Sequence, residues 1–223
     1  MTESKTELKI EGRPGGPILT VSYWLTDTAT GQWALVDPTY EVLDTWSDRL
    51  REAQAPQAIY ITHAHFDHTA GAADLLRRFP AAPVWVHPQG KAMLESGAMN
   101  GAMMLGFPYT PVAATNFYQE GDTVSLGASR LEIIDAPGHC PGSVLLLSGG
   151  WMLAGDVLFA GAVGRWDLLG ADYDTLAATI RDKVMTLPDD TVVYPGHGQP
   201  TTIGEERRGN TIVQRMLRGE ACD

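Results

Sequence analysis

The stretch AIYITHAHFDHTAGAADLL, residues 58 to 76, constrains the fold more than any other part of the chain. Its opening, QAIYIT over 57 to 62, is short and nearly all apolar, which predicts a strand buried on both faces. Its continuation, AGAADLLRRF over 70 to 79, predicts a helix stopped by Pro80. Between them, THAHFDH holds three of the chain's six histidines and an aspartate. His63, His65, Asp67 and His68 follow one another at i, i+2, i+4 and i+5. No regular element turns four such positions to one point. A backbone leaving a strand for a helix can turn them to two neighbouring points. Imidazole and carboxylate donors together suit a borderline divalent metal: zinc, iron or manganese.

Three further candidates share one local setting. His139 lies in DAPGHCPGS, Asp156 in LAGDVLF and His197 in VVYPGHGQP. Each follows an expected strand and sits in a turn rich in glycine or proline. Loops at strand ends gather on one rim of a sheet and carry chemistry on a rigid base. The glycines on both sides of His197 permit a close backbone approach or a positive φ. His87 stands outside the pattern and reads as a strand-end residue with no catalytic role.

The rest of the chain supplies two β-rich halves. ILTVSYWLTD (18 to 27) and QWALVD (32 to 37) read as a hairpin. Val42, Leu43, Trp46 and Leu50 have helical spacing within 40 to 54. PVWVH (83 to 87) is a strand. In the second half, RLEIIDA (130 to 136), SVLLLS (143 to 148) and WMLAGD (151 to 156) are strands joined by tight turns. A helix over 173 to 187, a strand over 191 to 194 and a closing helix over 204 to 217 complete it. Two sheets with helices packed outside account for this order. Residues 88 to 120 read as helical. Their methionines, Met93, Met99, Met103 and Met104, suit core filling, with a soft substrate-facing wall as the other reading.

Composition narrows the partners. A formal charge of −11 disfavours nucleic acid, whose phosphates need a basic surface. EERRGN (205 to 210) interleaves its arginines with glutamates and reads as a solvated helix face. No apolar run approaches the roughly 18 residues of a membrane span. MTESKTELKI lacks the pattern of an export signal. Two cysteines, Cys140 and Cys222, are too few for a disulfide framework. A cytoplasmic protein with a small-molecule substrate is expected, and a homo-oligomer is compatible.

THAHFDH, DAPGHCPGS, GDVLFAGAVGR and YPGHGQPTTIGEERRGN together resemble the metallo-β-lactamase superfamily, and within it the glyoxalase II (hydroxyacylglutathione hydrolase)-like branch and its small bacterial members. The resemblance runs from about residue 16 to 213. It implies an α+β fold, an αββα sandwich of two mixed sheets flanked by helices, with 1–223 as a single domain. The C-terminal helical domain of full-length glyoxalase II has no counterpart. It implies two divalent metal ions per chain, zinc first, with iron or manganese as alternatives. His63, His65 and His139 would hold one ion, Asp67, His68 and His197 the other, and Asp156 would bridge them. Asp37, in LVDP, matches an aspartate that supports the site from outside; a plain strand-end turn residue is its other reading. Arg165, in VGRWD, matches a basic residue that binds glutathione; an ordinary surface ion pair is its other reading.

The chemistry implied is attack on a carbonyl by a hydroxide held between metals about 3.5–4 Å apart. Asp156 would fix the metal spacing and Asp67 would orient the nucleophile's proton. No serine or cysteine nucleophile is needed, and Cys140 reads as packing beside His139. The expected activity is hydrolysis of a thioester such as an acyl-glutathione. The alternatives are hydrolysis of another ester or a lactone, and a mononuclear-iron persulfide dioxygenase, which would use His63, His139 and Asp156. β-Lactamase action is not expected.

Overall fold

Alternating burial along the strands builds the molecule. In the computed structural model, which describes residues 8–221, Val21, Tyr23 and Leu25 point to one side of their strand and Trp24 to the other. Cys222, and most of the N-terminal stretch that shows no export pattern, lie outside the described residues.

The first sheet runs β1 (Leu8–Gly15), β2 (Thr20–Asp27), β3 (Trp33–Val36), β4 (Ala58–Tyr60), β5 (Val84–Val86) and β6 (Asn116–Phe117) in spatial order. Its first two pairings are antiparallel and its last three parallel. The second sheet uses β7 (Thr123–Leu126), β8 (Ser129–Asp135), β9 (Val144–Ser148) and β10 (Trp151–Gly155), a meander of antiparallel neighbours. A small hairpin, β11 (Leu158–Phe159) with β12 (Ala162–Val163), stands apart. β13 (Val192–Pro195) joins the second sheet parallel to β10, and β14 (Thr201–Thr202) closes its edge.

Three apolar layers hold this together. Tyr23, Val36, Tyr60, Leu131, Ile133 and Leu146 interleave between the two sheets. The outer face of the first sheet, with Leu35, Ile59 and Ile61, packs on α1 (Val42–Thr45), α2 (Ser47–Leu50) and α4 (Ala72–Arg78); α3 (Phe66–Thr69) precedes α4. Further along lie α5 (Lys91–Leu94) and α6 (Ala102–Leu105). The outer face of the second sheet, with Leu145, Met152 and Val193, packs on α7 (Tyr173–Asp182), α8 (Ile203–Gly209) and α9 (Thr211–Leu217). The arrangement is the αββα sandwich. The run Ala58–Ile61 is apolar throughout because Ala58 and Tyr60 face the inter-sheet layer while Ile59 and Ile61 face the helices.

Several elements differ from the sequence reading. The helix over 40 to 54 is two short turns, α1 and α2, divided at Trp46, whose buried indole donates to Ser22 Oγ. The closing helix breaks at Asn210, whose side chain accepts from Ile212 and Val213 N–H and so starts a new helix. Residues 88 to 120 are helical only in a 3-10 turn (Pro88–Gly90), α5 and α6. Gly101 and Gly106, at φ of 92° and 75°, bound α6 and cut it to one turn. Core filling holds for Met93 alone; Met99, Met103 and Met104 are exposed. β1, with Pro14 and its charged side chains, gives a weak strand signal and is tolerated because it is an edge.

At the far end of the β2–β3 hairpin, buried Asp27 accepts from Ser129 Oγ (2.5 Å), Thr30 Oγ1 (2.6 Å) and Thr30 N–H (2.8 Å). Burial alone would raise its pKa, but these hydrogen bonds win and hold it at about 2, against an ordinary 3.8. Its stabilising effect is therefore complete above pH 3.8 and lost as pH falls through 2. Asp27→Asn is expected to cost about 1–2 kcal/mol at pH 7. In urea titrations the gap between wild type and variant should shrink steadily below pH 4; a gap that stays constant to pH 2.5 contradicts the assignment.

Candidate metal centre

The rim where β3, β4, β10 and β13 end collects the donors. His63 and His65 leave β4, Asp67 and His68 lie in α3, His139 and Asp156 follow β8 and β10, and His197 follows β13. Three groups of ligand-capable atoms lie within 4.8 Å of one another: His63, His65 and His139; Asp67, His68 and His197; and, between them, His63, His68 and Asp156. His65 Nδ1 and His139 Nε2 converge to 3.0 Å. His197 Nε2 lies 3.3 Å from Asp67 Oδ2 and 3.5 Å from Asp156 Oδ2. Asp156 also reaches His139 Nε2 at 3.7 Å, and His68 Nε2 at 3.3 Å through its other oxygen. All seven residues marked by the sequence thus meet in one place, and Asp156 faces both groups.

Supporting hydrogen bonds aim the rings. Asp37 Oδ2 accepts a hydrogen bond from His68 Nδ1–H at 2.9 Å, which directs Nε2 into the cluster. The same carboxylate accepts from Thr62 N–H (2.7 Å) and Thr62 Oγ1 (2.6 Å). Asp37 is buried with a φ of 49°, a conformation that few residues other than glycine adopt. The Arg165 carbonyl accepts from His139 Nδ1 at 2.9 Å and directs its Nε2 in the same way. Thr20 Oγ1 donates to Asp67 Oδ2 at 2.7 Å. Thr20, Thr62 and the Arg165 carbonyl have no mark in the sequence that sets them apart from structural residues.

Charge divides the cluster. Burial holds His65 at about 4 and pushes His63 and His139 below the ordinary histidine range, so these rings are neutral at pH 7. Burial also opposes charge on His68 and His197, but the carboxylates around them prevail: His68 is raised, and His197 reaches about 9. Burial would raise Asp67, yet the neighbouring His68 and His197 hold it at about 2. The carboxylate side therefore attracts positive charge, and the imidazole side offers neutral nitrogens.

The residues fit a pair of metal ions. His63 Nε2, His68 Nε2 and Asp156 Oδ1 are buried and make no hydrogen bond. Leaving a buried polar atom unpaired costs about 1–3 kcal/mol. Three of them directed into one cluster of nitrogen and oxygen donors is the pattern of a cation site. Gly196 makes room for it: a Cβ there would stand 2.1 Å from Asp156 Oδ1 and 2.6 Å from His68 Cε1. Asp37→Ala should lower metal affinity about 10–100-fold, since His68 loses its orienting partner. Titration with a chelator on the purified protein would read this, and unchanged affinity would remove Asp37 from the site.

The other sequence candidates take different places. Cys140 is fully buried, its Sγ 3.6 Å from Met93 Sδ, and burial pushes the thiol up to about 12. It is a packing residue. His87 accepts from Gln89 N–H and faces Asp135 at 3.5 Å, away from the cluster. Arg165 lines the cavity over the cluster, and its guanidinium forms two 2.8 Å bonds with Asp167. In the GEERRGN stretch, Glu206 is buried rather than solvated. It accepts from Gly161 N–H, Thr201 Oγ1 and Asn210 Nδ2, and Asn210 also donates to the Ala162 carbonyl. That network pins the β11–β12 turn, from which the chain runs on to Arg165. Its arginines serve elsewhere: Arg207 donates to the Met185 and Leu187 carbonyls, and both Arg207 and Arg208 pair with Asp189.

An αββα sandwich with a seven-residue His/Asp cluster on one rim defines a class, the metal-binding hydrolase folds built on two facing sheets. The chain belongs to the metallo-β-lactamase superfamily, whose sequence model matches residues 15–197. It is 35% identical to the probable metallo-hydrolase YqgX of Bacillus subtilis over 92% of this chain and 98% of that protein. It is 34% identical to the hydroxyacylglutathione hydrolase GloC of Haemophilus influenzae, over 81% and 86%. Among solved structures, BLEG-1 B3 metallo-β-lactamase superposes with a TM-score of 0.84 at 34% identity, over 92% of this chain and 99% of that one. TTHA1623 in a di-iron-bound form superposes with a TM-score of 0.79 at 33% identity, over 91% and 99%. The cluster is compatible with a binuclear metal site. Among the described residues no helix is long and apolar enough to cross a membrane.

Proposed function

We propose that the protein is a dinuclear metallo-hydrolase that cleaves a thioester such as an acyl-glutathione. The observation that carries this is the position of Asp156, within reach of both ligand groups. A single-metal site could use Asp156 as one ligand, but its reach to both triads favours two ions. His63, His65 and His139 would hold one ion, and Asp67, His68 and His197 the other. Two such ions supply a water of near-neutral pKa and polarise a carbonyl.

The chain's own groups do the positioning. Asp37 and the Arg165 carbonyl fix the tautomers of His68 and His139. Asp67, ionised at neutral pH and anchored by Thr20, is the carboxylate placed to orient the attacking water by accepting a hydrogen bond from it. Asp156 sets the separation of the two groups. The similarity to GloC favours a glutathione conjugate as substrate, and the di-iron form of TTHA1623 makes iron a candidate beside zinc and manganese.

A substrate panel run on one preparation with measured metal content tests the reading. S-Lactoylglutathione, a lactone, a phosphodiester, a β-lactam and glutathione persulfide should be offered. Thioester hydrolysis with two metal equivalents is expected. Sulfite formed from the persulfide by protein with one iron per chain would replace the hydrolase with an oxygenase. Preferential opening of the β-lactam would move the chain to the activity that BLEG-1's name carries.

A further inference from the structure

Exposed apolar side chains concentrate around this one site. Of nine large apolar residues that stand exposed among the described residues, Ile18, Met99, Met104, Leu105 and Leu169 line the cavity above the cluster. Met104 is 75% exposed and Leu169 83%. Single exposed apolar side chains are ordinary, but five of them gathered on one cavity mark a binding surface. Met104 stands on α6 between glycines of positive φ, and Leu169 lies directly before Gly170, also at positive φ. Phe159 and Leu168 continue the apolar wall. The cavity measures about 420 Å³, within the range of small-molecule sites.

The polar side of the cavity is equally informative. Apart from the candidate ligands, Arg165 is its one charged side chain, and Asp167 already holds that guanidinium through two hydrogen bonds. Beyond Arg165 and the candidate ligands, the cavity lining offers a carboxylate-bearing carrier no further cationic side chain. An aliphatic chain finds a wall of methionine and leucine, whose flexible side chains adapt to its shape.

We infer that the rim selects substrates whose reacting carbonyl bears an uncharged, medium-length aliphatic chain, with Met104 and Leu169 as the specificity-determining side chains. The inference rests on the thioester-hydrolase reading and narrows it: the acyl group is apolar rather than the small hydroxyacyl group of S-lactoylglutathione.

Acyl thioesters of N-acetylcysteamine with acetyl, butanoyl, hexanoyl and octanoyl groups vary the chain alone. kcat/KM should climb by about threefold per added methylene, the expected gain from burying each one, and so by about 700-fold over the six methylenes from acetyl to octanoyl. Met104→Glu and Leu169→Glu replace exposed residues, so folding is preserved. Each should cut the octanoyl-to-acetyl ratio about tenfold. A flat profile, or S-lactoylglutathione preferred over the octanoyl ester, overturns the inference. So does a dimer that Leu169→Glu dissociates without any chain-length preference, since a second copy would then be what covers the rim.

Calorimetry with uncleavable thioethers separates this from the reading beneath it. S-Octyl-N-acetylcysteamine should bind at least about tenfold more tightly than its S-methyl counterpart. If it does while no thioester is cleaved, the apolar selectivity stands and the thioester-hydrolase reading falls. Equal binding of the two thioethers overturns the selectivity, whatever the activity.

Discussion

Asp156→Ala is expected to leave a folded protein that has lost its activity and at least one of its two metal ions. Asp156 lies against His68, His139 and His197, so its removal takes a donor from both groups at once. The loss should exceed the roughly 10–100-fold that follows removal of a supporting hydrogen bond. A fall of about 1,000-fold or more in kcat/KM fits a group required by both ions. Asp156→Asn tests charge apart from size, because an amide fills the same space but is a poor shared ligand. Elemental analysis on the same samples should give one metal equivalent or fewer for both variants. Activity within about tenfold of wild type, with two equivalents retained, would show that Asp156 does not join the two groups.

His68 gives a second view of that substitution. Its imidazole is surrounded by Asp37, Asp67 and Asp156, and together they outweigh the penalty of burying its charge. Taking away one of three carboxylates leaves two, so the buried ring keeps a partner when no metal is bound. The fold should therefore survive the change better than the site does. Thermal melts of metal-free wild type and Asp156→Ala that lie close together, beside melts of the metal-loaded forms that lie far apart, would express this difference.

The ligands were legible because their chemistry is scarce and their setting is shared. Imidazoles and carboxylates that each follow an apolar run and sit by glycine or proline form a pattern that core packing does not need. The supports were not legible for the converse reason. Thr20 and Thr62 are ordinary strand-region residues, and the group of Arg165 that orients His139 is its backbone carbonyl, which no sequence pattern distinguishes. Asp37 was readable as a strand-end aspartate, but only its distance to His68 separates an orienting group from a turn residue.

Secondary structure followed the same division. Long apolar runs such as Ala58–Ile61 and Val144–Leu147 are strands because both of their faces are covered. Segments whose conformation depends on distant partners carry no local signal of it. Asn210 ends one helix and starts another because its side chain is shared among Glu206, Ala162 and the next helix's N–H groups. Residues 88 to 120 contain helix-favouring methionines, yet their glycines and prolines cut the segment into single turns. That is also why Met104 faces the cavity instead of the core.

Gly196→Ala should damage the metal site far more than the removal of one hydrogen suggests, and its neighbour Gly198 supplies the control. Gly196 has no positive φ, so alanine can adopt its backbone without torsional strain. Its N–H donates to the Gly155 carbonyl and its carbonyl accepts from Val21, and both bonds survive the substitution. What does not survive is the space: the new methyl would lie 2.1 Å from Asp156 Oδ1. A carboxylate at the end of a side chain can swing away at small cost to the fold, but swinging away removes it from His68 and His197. The methyl would also stand 2.6 Å from Cε1 of buried His68, so that ring must shift as well. Metal content should therefore fall to one equivalent or fewer, and kcat/KM by more than about 100-fold. Gly198 is the reverse case. It sits at a φ of 79° with nothing within 4 Å of a Cβ. Gly198→Ala should cost about 1–2 kcal/mol of stability through backbone strain and leave the metal content at two. If Gly196→Ala instead keeps both ions and loses only stability, the crowding around Asp156 is a packing feature, and the metal site must be drawn without it.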